Sequence, residues 1–103
     1  MRIAEVIGTV TLSRAVPEFA SARLRLAVPM SLQELAAGSQ PQADQLVVWD
    51  ELGAGVGSRI ALSEGAEAAQ PFRPEVKPVD AYAAAILDDI DLDASQVKPL
   101  TKN

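Results

Sequence analysis

Residues 46–62 read Leu46-Val47-Val48-Trp49-Asp50-Glu51-Leu52-Gly53-Ala54-Gly55-Val56-Gly57-Ser58-Arg59-Ile60-Ala61-Leu62. The piece from Gln45 to Leu52 is apolar on both faces of an extended chain, and Arg59 to Leu62 reads as a second strand. Three glycines in five residues join them, a connection in which missing side chains permit positive φ or the close approach of another backbone. A dinucleotide fingerprint would need G-x-G-x-x-G followed by a helix, and a phosphate loop would need a Gly-Lys-Ser/Thr ending. Here a strand-forming segment follows directly. The stretch is therefore read as strand, tight loop, strand.

Working outward, Ile3 to Leu12 is rich in β-branched residues, with Ala4, Val6, Gly8, Val10 and Leu12 on one face and Ile3, Glu5, Ile7 and Thr9 on the other. Arg23-Leu24-Arg25-Leu26-Ala27-Val28 alternates, which sends Leu24, Leu26 and Val28 toward a core and both arginines toward water or a neighbour. Ser31 and Glu34 have the spacing of a capping box, and Gly38 suits a left-handed stop, so a short helix is expected between them. Gly65 is expected to end the strand that begins at Arg59. Three prolines between Pro71 and Pro78 predict a stiff, extended connection. Asp80 is read as capping a helical turn through Ala84, and Ile86 to Leu92 as the closing strand. About five short strands with small helical pieces, in 103 residues, predict an all-β fold: a small OB-like five-stranded β-barrel over residues 1–92, with a polar C-terminal tail over 93–103.

Size and composition set limits on chemistry. A chain of this length hides roughly 65% of its surface on folding, enough for one modest core. There is no His and no Cys, which removes imidazole bases, thiolate nucleophiles, zinc sites of either type and disulfides. Chemistry at neutral pH would fall to carboxylates, Lys, Tyr or Ser. Net charge is −5, and no Lys or Arg interrupts the run that holds Asp80, Asp88, Asp89, Asp91 and Asp93. The basic residues are scattered, which argues against nucleic acid as a partner. Glu5 interrupts the N-terminus before any signal core forms, and the longest apolar run, Ala81 to Leu87, is far short of a membrane span. A cytoplasmic location without membrane contact is the expectation.

The remaining constellations are bland. Adjacent strand residues point apart, so Asp88 and Asp89 diverge, as do Asp50 and Glu51, and no calcium-loop spacing is present. Phe19, Trp49, Phe72 and Tyr82 are read as too dispersed to stack on bases. Without His, a serine nucleophile would require a lysine partner, and the three lysines lie late in the chain without a serine motif nearby. From the residues alone, a monomeric OB-type module binding nucleic acid or a protein partner stays open, as does a small carboxylate enzyme whose two acids would have to converge in a pocket.

Met1-Arg2-Ile3-Ala4-Glu5-Val6-Ile7-Gly8-Thr9-Val10, the block from Leu46 to Gly57, Ser63-Glu64-Gly65-Ala66-Glu67-Ala68-Ala69, and Pro78-Val79-Asp80-Ala81 with Ala85-Ile86-Leu87-Asp88 together resemble the EutN/CcmL family of bacterial microcompartment vertex proteins. The resemblance implies a cyclic homopentamer that closes the five-fold corners of a protein shell, with itself and hexagonal shell proteins as partners, no catalysis and no cofactor or metal. It also implies that Gly53, Ala54, Gly55, Val56 and Gly57 lie near subunit contacts and the axis. Arg23 and Arg25 are read as a second subunit contact, facing a neighbour's carboxylates. A ring of this kind requires opposite edges of one subunit to be complementary.

Overall fold

A computed structural model describes residues 1–19, 22–75, 77 and 79–97. Five strands, β1 (Arg2–Val10), β2 (Leu24–Pro29), β3 (Leu46–Trp49), β4 (Arg59–Glu64) and β5 (Ala81–Leu87), close into a barrel in the order β1-β2-β3-β5-β4. All pairings are antiparallel except the contact of β3 with β5, which is parallel. Closure removes the exposed edges that would template strand addition.

The interior of so small a barrel has little room, and the residues that fill it are correspondingly small. Ala4, Val6, Ala27, Val48, Ala54, Ile60, Leu62, Ala81 and Ala83 form the core, with Leu46 packed against it. This explains why β5 was hidden in the sequence. Ala81-Tyr82-Ala83-Ala84-Ala85-Ile86-Leu87 has no hydropathy alternation and poor strand propensity, yet alanines at 81 and 83 are what the crowded interior opposite β4 accepts. The closing strand is thus Ala81–Leu87 and not Ile86 to Leu92, and Asp80 precedes a strand rather than capping a helical turn.

Two strands also differ in phase from their sequence reading. In β1 the register shifts between Val6, opposite Ala27, and Gly8, opposite Leu26. The extra residue at Ile7 is a bulge, and a bulge turns the residues beyond it to the other face. Ala4 and Val6 therefore face the core, while Val10 pairs with Leu24 on the outside. In β2 the core residue is Ala27, flanked by Val6 and Leu46, so Arg25 shares the inward face and Leu24, Leu26 and Val28 turn outward. Leu24 is still buried, because Trp49 and Phe19 line the same outer groove.

The connections follow their local chemistry. In α1 (Leu32–Ala37), Ser31 and Glu34 form the reciprocal capping box, and Gly38 closes the helix in the left-handed conformation at φ 67°. Gly65, at φ 68°, ends β4 as expected. A 3-10 segment then runs from Gly65 to Phe72 and contains Pro71, so the extended connection expected from Pro71 does not start there. Its other end, Pro78, and the tail from residue 98 onward lie outside the described residues. Further 3-10 turns span Pro17–Phe19 and Ala94–Gln96.

Candidate functional site

The glycine-rich loop is held by charge as well as by shape. Asp50 directly follows β3, and its N–H donates to the Arg23 carbonyl at 2.8 Å, adding one step to the β2–β3 ladder. Its side chain is wholly buried. Oδ1 accepts from the Leu52 N–H at 2.9 Å and Oδ2 from the Ala54 N–H at 2.7 Å. Arg25, carried inward by the phase of β2, places Nε 3.3 Å from Asp50 Oδ2 and donates to the Ala54 carbonyl at 2.7 Å. A carboxylate out of reach of water needs such partners, since an isolated buried charge is prohibitively costly. The outcome is that both backbone groups of Ala54 are held by side chains, in the manner of a neighbouring strand.

Beyond Ala54, which is 1% exposed, the loop docks back on β1. Gly57 N–H donates to the Val6 carbonyl at 2.8 Å, Val6 N–H to the Ser58 carbonyl at 2.9 Å, and Ser58 N–H to the Gly55 carbonyl at 3.0 Å. Gly53 and Gly57 have φ of 86° and 92°, a region L side chains seldom enter. Gly55 is different: its φ is not positive, and a Cβ built on it meets nothing within 4 Å. Backbone conformation accounts for the outer two glycines, whereas nothing among the described residues of one copy demands the middle one. Val56, at the tip, is 69% exposed.

Of the residues singled out from sequence, Gly53 to Gly57 form one continuous surface loop with Ala54 as its internal anchor. Arg23 is exposed. Arg25 is drawn into its own chain's Asp50 instead of standing free on an outer face, because β2 runs in the opposite phase to its hydropathy. Strand alternation alone reads Asp50 as one of two diverging acids. The signal that could have found its role was its position three residues before the glycines, where a carboxylate commonly captures nearby backbone N–H groups.

The aromatic residues, dispersed in sequence, are gathered by the fold. Phe19 stacks on Trp49 with ring centroids 5.8 Å apart; Trp49 meets Phe72 edge-on at 4.8 Å, and Phe72 meets Tyr82 edge-on at 5.5 Å. Lys77 Nζ lies 5.8 Å from the Trp49 ring centroid and donates to the Glu18 carbonyl at 2.9 Å. Trp49 is only 5% exposed, so this row packs the barrel's outside and offers no open stacking platform. Tyr82 donates to Glu51 Oε1 at 3.0 Å, and burial first, then the bond to Glu51, pushes its phenol up. Asp88, Asp89 and Asp91 are exposed. Among the described residues no group of three acids is placed to hold a metal ion, and no helix is long and apolar enough to cross a membrane.

The chain as a whole has counterparts among known proteins. The profile of the family described as ethanolamine utilisation protein EutN/carboxysome matches residues 1–88. The chain belongs to the EutN/CcmL family. It is 32% identical over 93 residues to the carboxysome shell vertex protein CcmL of Gloeobacter violaceus, covering 90% of this chain and 88% of that protein. The solved structure of Gloeobacter violaceus CcmL superposes with a TM-score of 0.79 at 30% identity, over 90% of this chain and 91% of that one. The GrpN pentameric microcompartment shell protein of Rhodospirillum rubrum superposes with a TM-score of 0.75 at 25% identity, over 90% and 100% of the two chains. The EutN/CcmL family is one of structural shell proteins and not of enzymes, and this member is a structural component of a microcompartment shell. The reading as a monomeric OB-type binding module is not favoured.

Proposed function

We propose that five copies of this EutN/CcmL protein close into a ring that caps a five-fold vertex of a microcompartment shell, meeting hexagonal shell proteins along its outer edges. Hexagonal tiles alone pave a flat sheet, and a closed shell needs pentagonal units at its corners. The observation that carries the reading is the likeness of 90% of this chain to the whole of a pentameric shell protein. A cyclic ring is built from a heterologous interface, in which one edge of the protomer meets a different edge of the next. The loop from Gly53 to Gly57 supplies one such edge, with the exposed Val56 at its tip and an unencumbered Gly55 beside it; Arg23 lies on the exposed surface as a further contact.

The test is co-expression with hexagonal shell proteins of the same operon type, with and without this chain. With it, closed polyhedral shells are expected, carrying the protein at their corners in electron micrographs. Equal closure in its absence, or failure of the chain to co-purify with the shells, contradicts the capping role.

A further inference from the structure

Resting on that pentamer reading, we propose that Asp50 and Arg25 are positioning residues for ring assembly, holding the loop from Leu52 to Gly57 in one shape so that Val56 is a preformed contact for a second copy of the chain. Three glycines in five residues make this loop expensive to order, because glycine loses more backbone freedom than any other residue. A loop left mobile in the free protomer would charge that ordering to the association step, whereas one ordered beforehand does not. The buried pair is the device that orders it. Asp50 Oδ2 receives the Ala54 N–H and Arg25 Nε reaches the Ala54 carbonyl, so the residue between the first two glycines is clamped on both sides. Downstream, the bond from Gly57 N–H to the Val6 carbonyl pins the other end to β1. Between the clamps Gly55 is tied through its carbonyl to the Ser58 N–H, and nothing among the described residues asks for a glycine there or for the exposed aliphatic Val56 beside it. Their chemistry fits a second copy of the chain, in which an apolar tip is covered and a bare backbone is approached.

The pair bonds the loop through Ala54, which is itself part of the barrel core, so its effects on the loop and on the barrel are read separately. Asp50→Asn keeps the size of the side chain, removes the charge opposite Arg25 and presents an amide N–H to one of the two backbone donors. Arg25→Lys keeps the charge but loses the planar group whose Nε serves both Asp50 and Ala54.

The experiment uses the full chain and reads assembly and loop order separately. Native mass spectrometry over a dilution series compares the parent with Asp50→Asn and Arg25→Lys. Amide hydrogen exchange is read in a Val56→Asp background, where ring closure is blocked and the protomer stands alone. Expected for either variant is at least a tenfold rise in the concentration for half-assembly. Also expected is at least a tenfold faster exchange of residues 52–58 in the Val56→Asp protomer, with β1, β2, β4 and β5 protected as before. A pentameric parent whose two variants assemble at the parent concentration overturns the inference alone, as does equal loss of protection in loop and strands, which would make the pair a general prop of the barrel. A parent that never exceeds protomer mass overturns the pentamer reading and this inference with it.

Discussion

Among the described residues, Trp49 on β3 and Tyr82 on β5 are the one parallel partner pair between these strands, and they close the barrel. Phe72 sits against both rings, edge-on to each, at 4.8 Å from Trp49 and 5.5 Å from Tyr82. A seam with so short a ladder depends on side chains where other pairings depend on backbone hydrogen bonds. Phe72→Ala removes the ring that bridges them. Because Phe72 is half-buried, a loss of about 2 kcal/mol is expected, below the range for fully buried Phe. Thermal unfolding of the variant checks this, and a melting temperature equal to the parent's contradicts it.

Glu34 connects acid stability to a helix cap. Its carboxylate accepts the Ser31 N–H at 2.9 Å and the Gln42 N–H at 2.9 Å, and its N–H donates to the Ser31 hydroxyl at 3.1 Å. The Ser31 backbone bond foremost holds the Glu34 carboxyl below its ordinary value, while burial works in the opposite direction. A folded-state pKa below the unfolded one means that the contribution is complete above the unfolded value, about 4.3, and is lost as pH falls through the folded value. Melting temperature is therefore expected to fall on acidification below that point, with a shallower fall in Glu34→Gln. Parallel slopes for the two proteins would contradict the assignment. Ser31→Ala, losing the hydroxyl cap alone, is expected to cost about 1 kcal/mol.

Arg2 and Glu64 join the outer faces of β1 and β4 by two hydrogen bonds of 2.7 Å each. That bond, ahead of the Coulomb attraction, draws the Glu64 carboxyl down and the Arg2 guanidinium up. The pair is substantially exposed, where such bridges contribute about 0–1 kcal/mol and salt screens them. Arg2→Ala is expected to lower the denaturant midpoint slightly at low salt, with the difference shrinking at high salt. A large loss that persists in salt contradicts a surface role.

The three loop glycines are expected to separate into two kinds. Gly57→Ala forces a side chain into positive φ and is expected to destabilise the protomer by about 1–2 kcal/mol. Gly55→Val meets open space in one copy, so its effect on barrel unfolding should stay within about 0.5 kcal/mol, while ring formation suffers. Denaturation monitored beside native mass spectrometry distinguishes the two. Unimpaired rings in Gly55→Val would contradict the contact assigned to this loop.

How much of this was legible in the sequence depended on whether the governing force was local. The cap at Ser31 and Glu34, the stop at Gly38 and the end of β4 at Gly65 are set by neighbours a few residues away, and each was readable. The glycine loop was readable as a tight strand connection for the same reason. The phase of β2 was not, because Leu24, Leu26 and Val28 look like a core face, and the outer groove in which Leu24 lies is completed by Phe19 and Trp49, brought from elsewhere. The switch of β1 at Ile7 left no mark in hydropathy, and β5 was concealed by alanines selected for interior volume and not for strand propensity. The clamp on Ala54 required knowing that Arg25 faces inward, so an error of one residue in phase concealed the Asp50 pair as well.

Stoichiometry tests the central claim most directly. Native mass spectrometry of the 103-residue chain at micromolar concentration should show one dominant species of five times the 10.9 kDa protomer mass. A stable protomer, or a ring of any other number, contradicts it.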